Sequence, residues 1–184
     1  MRRFAAALVA LALIGTACSS SMAIDEYAAL IEDRAAAYAD EHEDLGRRHL
    51  ADLEAAIADL QDSMEGERLA TAALDETARR SAKLFAGIGD ALGRYIDELD
   101  EIEPPRSVSA EHVAYVEALK GSSEGIGPLI STLTEAVSFD EINRAFASSG
   151  YADSSLRVAA ACLRLEEVLE GQDLDADLPC EEAG

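Results

Sequence analysis

The longest stretch without a helix breaker decides what this chain can fold into. Between Ile24 and Met64 there is no proline, and apolar side chains recur as Ile24, Tyr27, Ile31, Ala35, Tyr38, Leu45, Leu53, Ala56, Leu60 and Met64. The spacing averages near the helical repeat. It predicts one helix over about 23–64, roughly 60 Å long at 1.5 Å per residue. Gly46 is its weak point, costing about 1 kcal/mol relative to alanine. Met64-Glu65-Gly66 reads as a turn, and the period resumes through Leu69, Leu74, Leu84, Ile88, Tyr95 and Ile102 as a second helix over about 67–102. Two long amphipathic helices with so short a connection must run antiparallel. Pro104-Pro105 then stops the chain, because proline lacks an amide hydrogen and pushes its predecessor out of helical geometry.

A third helix should start with Ser107 or Ser109 as its N-cap, with Glu111 in the first turn. Its stripe from Val113 to Val137 keeps phase across Gly121, Gly125, Gly127 and Pro128, which predicts a kink rather than a break. Ser138-Phe139-Asp140-Glu141 has the form of a capping box for a short helix ending near Ala147. After Ser148-Ser149-Gly150 a last helix should run from about Asp153 to Glu170, with Gly171 as its C-terminal signal. Residues 172–184 have no helical period and form an acidic tail. The expected fold is all-α: an elongated up-down-up-down four-helix bundle over 24–171, its third helix kinked and its fourth broken.

Charge narrows the function classes. The chain carries 15 basic and 37 acidic residues, a net charge of −22. Such a surface repels phosphates, so nucleic-acid partners are excluded. Hydrophobic residues make up 49% of the sequence and recur periodically, so the acidity does not imply disorder.

The first twenty residues follow a different pattern. Arg2 and Arg3 precede an apolar run from Phe4 to Ile14, too short to span a bilayer. Small residues then lead into a cysteine, as Ile14-Gly15-Thr16-Ala17-Cys18-Ser19-Ser20. The stretch resembles the lipobox of bacterial lipoproteins, although Gly15 stands where that family more often has leucine. The resemblance implies a signal peptide over 1–17 removed by signal peptidase II, and lipidation of Cys18. An acylated tether over 18–23 would follow, with an extracytoplasmic location through the lipid anchor on the cell membrane. The alternative is an ordinary secretory signal with a chance cysteine. Without residues 1–17, 13 basic residues face 37 acidic ones, a net charge of −24 on 167 residues, the size of one domain.

In that oxidising compartment Cys162 and Cys180 are an even pair, read as a disulfide that ties the tail to the last helix. Free or metal-binding thiols are the other reading, but no further Cys or His lies close in sequence. Pro104-Pro105, His112 early in a helix, a helical cysteine and a late Leu178-Pro179-Cys180 together resemble many uncharacterised helical lipoproteins. That resemblance implies a fold and no activity.

Groups able to do chemistry are few. His42 and His49 lie seven apart on one helix beside Glu41 and Glu43, a weak divalent-metal motif; two surface histidines are the plainer account. Residues three before the histidines are Ala39, Gly46 and Ser109, so the Glu-x-x-His pattern of di-iron bundles is missing. His112, beside the Pro-Pro loop, reads as a structural imidazole bonded to loop carbonyls. Asp173, Asp175 and Asp177 start like a calcium loop, but Leu178 and Gly184 occupy the positions of its glycine and glutamate. No cofactor is implied. The expected function is a structural or protein-interaction module of the cell envelope, with a protein partner and no enzymatic activity. A carrier or sensor for a small ligand or divalent cation is the alternative.

Overall fold

The computed structural model describes residues 22–174 and 176–180. The lipobox, Cys18 and the signal peptide lie outside the described residues. Five helices account for nearly all of the described chain: α1 (Ile24–Ser63), α2 (Gly66–Asp100), α3 (Ser109–Glu135), α4 (Phe139–Ser148) and α5 (Tyr151–Glu170). No strand occurs among the described residues. None of these helices is long and apolar enough to cross a membrane.

The α1–α2 turn works because Gly66 sits at φ +65°, a left-handed conformation that side chains resist, directly after extended Met64 and Glu65. From there α2 returns along α1 in register. Arg34 meets Glu98 at 3.4 Å, Glu41 meets Arg94 at 2.6 Å and Asp52 meets Arg80 at 3.6 Å, so each step up α1 is matched by a step back along α2. α2 packs in turn on α3, α3 on α5, and α4 rests against α3 and α5.

Caps explain most of the boundaries and correct some expectations. Ser138 Oγ accepts a hydrogen bond from the Glu141 amide at 3.2 Å, as a capping box requires. The Glu141 carboxylate instead reaches one residue further back, accepting from the Val137 amide at 2.7 Å. Neither Ser107 nor Ser109 caps α3: Val108, fully buried, takes that place with no side-chain bond, and its carbonyl accepts from the His112 amide. Gly171 ends α5 in right-handed geometry, and the left-handed residue that reverses the chain is Asp173, φ 61°. α3 continues through Gly121, Gly125, Gly127 and Pro128 as one helix.

The tail is held by more than the disulfide expected of it. Among its described residues Ala176, Leu178 and Cys180 are buried, while Asp177 between them is exposed. The Leu178 amide donates to Glu166 Oε1 of α5 at 3.3 Å, and the segment from Asp177 to Cys180 lines a cleft with Ala36 and Ala39 of α1. Cys162 and Cys180 stand at disulfide distance with Cα atoms 5.4 Å apart. Under non-reducing conditions, Cys180→Ser should lower the unfolding free energy by about 3 kcal/mol in a urea titration, and dithiothreitol should bring the native protein down to the same value.

Candidate interaction surface

Burial divides the α1–α2 pair into a supported base and a free arm. Tyr27, Ala28, Ile31 and Ala35 are the only buried residues of α1. Tyr38 and Leu45 are half-buried against the core, and no residue from Gly46 to Ala73 is buried. α3 and α5, at 27 and 20 residues, are too short to accompany the 40 residues of α1. The arm therefore has only one seam, between its own two helices, and Leu50 projects from it 61% exposed.

Charge is distributed unevenly along this arm. Arg47, Arg48, Arg79, Arg80 and Lys83 stand in one band at its base. Most are held by neighbouring carboxylates: Arg47 by Glu43 and Asp44, Arg48 by Asp44, Arg79 by Glu76, and Arg80 by Glu76 and Asp52. The two arginines hold the Glu76 carboxyl below its ordinary value. Lys83 makes no ion pair with a described residue. Beneath the band lies a cavity of about 150 Å³ lined by Leu45, Arg48, His49, Asp52, Arg80, Lys83 and Leu84. Sequence reasoning missed it. The signal was there: Arg47-Arg48 and Arg79-Arg80-x-x-Lys83 come level once the two helices are laid antiparallel.

The histidines are not brought together. His42 stacks on Tyr38, with ring centroids 6.0 Å apart. His49 faces the cavity beside Arg80, and burial and that guanidinium both lower its pKa. No group of three or more His, Cys, Asp or Glu side chains able to hold a metal occurs among the described residues.

His112 is buried, 4% exposed, at the opposite end of the molecule. The Tyr27 hydroxyl lies 3.0 Å from its Nδ1, and the ring also bonds the Leu99 backbone. A neutral imidazole, with one N–H donor and one acceptor nitrogen, suits two such partners. Burial lowers the His112 pKa, outweighing the Leu99 bond and the Asp100 charge. Pro105 packs buried beside Val108 in the same loop, with Pro104 half-buried, so the Pro-Pro corner and the imidazole close one end of the core. Three turns back along α2 from Leu99, Gly87 brings the α1 helix close; a Cβ there would lie 3.1 Å from a Leu45 methyl.

Two outcomes are expected. Both His49 and His112 titrate below the unfolded value of about 6.5. The unfolded chain therefore binds protons first as pH falls, and stability should decline between pH 7 and 5. His112→Ala should flatten that slope and cost about 2 kcal/mol or more by stranding the Tyr27 hydroxyl, read from thermal melts across the pH range. Amide hydrogen exchange should also be faster over 46–73 than in the body, since no buried side chain holds that part of either helix.

No protein-family model matches the chain, and neither a curated protein nor a solved structure resembles it significantly.

Proposed function

We propose that this chain is a lipid-anchored extracytoplasmic lipoprotein that acts as a structural or protein-interaction module of the cell envelope. The observation that carries the reading is the sequence Ala17-Cys18 after a basic and then apolar leader, six residues before α1 begins at Ile24. A tether that short keeps the Met22 end of α1 within about 20 Å of an acyl chain on Cys18. The 40 residues of α1 then carry the Gly66 turn about 60 Å away from it.

In this reading α1, α2, α3 and α5 alternate up and down as the four main helices. α3 bends at Pro128, where a missing amide hydrogen removes one rung of the ladder. Cys162 and Cys180 are oxidised in the same compartment and pin the tail between α5 and α1. The free arm is the part that meets a protein partner, for two reasons. Its seam is covered by no other described helix, and the basic band at its base lessens the repulsion that a net charge of −22 sets against a partner. A small-ligand carrier or sensor is the second reading, favoured by the cavity between α1 and α2.

The anchored reading is tested by growing cells that express the full chain with radiolabelled palmitate. The native protein should carry label and sediment with membranes, and Cys18→Ala should carry none. An unlabelled native product, or a native product in the cytosol, overturns the assignment of compartment and with it the disulfide.

A further inference from the structure

The cavity at the base of the arm combines features that neither a plain interhelical groove nor a solvated charged face shows together. Its floor is apolar, formed by Leu45 and Leu84, and the Leu45 methyls settle there because Gly87 opposite has no side chain. Its rim carries Arg48, Arg80 and Lys83 against the single carboxylate of Asp52. Arg80 is the most sequestered of these cations, 23% exposed, and its Nε is fixed on Glu76 at 2.5 Å. Its Nη1 faces Asp52 at 3.6 Å, beyond direct hydrogen-bond reach, so an anion entering the cavity meets a guanidinium already held in place by Glu76. Lys83, one helical turn onward, has no carboxylate of its own among the described residues. In a protein with 37 acidic residues, a lysine without a carboxylate partner among the described residues, set beside two arginines, gives an incoming anion a favourable contact.

We propose that this cavity binds a small amphiphilic carboxylate, its anionic head on Lys83 and Arg80 and its short apolar body on Leu45 and Leu84. The volume of about 150 Å³ suits a body the size of one ring or a few methylenes, and excludes a long acyl chain. The His49 imidazole at the rim gains a favourable neighbour when the anion is present. The groups facing it are Arg48, Asp52, Arg80 and Lys83, so affinity should rise as pH falls through the histidine range. The assignment rests on the carrier reading and is independent of the lipid anchor.

The test is leucine-methyl NMR on the full chain in detergent, titrated with benzoate, with benzamide as the uncharged match and inorganic phosphate as the headgroup alone. Benzoate should shift the Leu45 and Leu84 methyls saturably, with a Kd of about 1 mM or tighter. Lys83→Gln should weaken it about tenfold without lowering the melting temperature, since Lys83 supports no other described side chain. Benzamide should leave the methyls unmoved and phosphate should bind more weakly. Benzamide binding as well as benzoate overturns the anionic class and leaves the carrier reading standing. Phosphate binding as tightly as benzoate overturns the apolar body. No saturable shift with any of the three overturns both the site and the carrier reading. Methyl shifts that change with protein concentration alone would mean that a neighbouring copy's carboxylate fills the site, which also overturns a free ligand.

Discussion

The interior depends on hydroxyl groups that can be buried only because each finds a partner in the same small space. All five tyrosines of the chain stand in ring contacts that link four of the five helices. Tyr27 of α1 bonds His112 of α3, Tyr95 of α2 bonds Tyr115 of α3 at 3.2 Å, and Tyr38 of α1 stacks on Tyr95 at 4.9 Å. Burial raises the pKa of every one of these phenols, so they remain neutral donors at any physiological pH. Aliphatic stripes tolerate sliding by a turn. Paired hydroxyls do not, because a slip leaves a buried polar atom unsatisfied. No buried side-chain nitrogen or oxygen among the described residues lacks a partner. Aromatics are scarce in this sequence, and those it has fix how α1, α2 and α3 align.

Periodicity and breakers made most of the helical layout legible. The ends of α1 and α2, the Gly66 turn and the Ser138 box follow from local chemistry that acts within a few residues. The start of α3 was misread because serine is the better cap in isolation, whereas Val108 gains more from complete burial than a serine would from one hydrogen bond. The packing of the tail beyond its disulfide was not legible for a related reason. Ala176, Leu178 and Cys180 are buried around exposed Asp177 and half-buried Pro179, a period of two that looks like no element when it has no strand to pair with. Only the cleft between α1 and α5 gives that alternation a meaning, and the cleft is a property of the assembled helices.

The arm shows the limit most plainly. The apolar period from Leu45 to Met64 is as regular as that from Ile24 to Tyr38, yet one half is sealed and the other is not. Periodicity reports which face of a helix is apolar and is silent on how many neighbours cover it. Coverage depends on relative lengths, since α3 and α5 run out before α1 does. The basic band at the arm's base was hidden for the same reason: its members are more than thirty residues apart until α2 folds back.

Because α2 returns beside α1 one residue for one, the pair behaves as a mast whose height is independent of its footing. Adding seven residues to each helix beyond Gly46 would raise the tip by about 10 Å and rotate the phase almost back to its start. Nothing in the tyrosine cluster, the Pro104-Pro105 corner or the tail clasp would notice. A chain built this way can have its reach adjusted by paired insertions and deletions alone, while the part that confers stability stays the same.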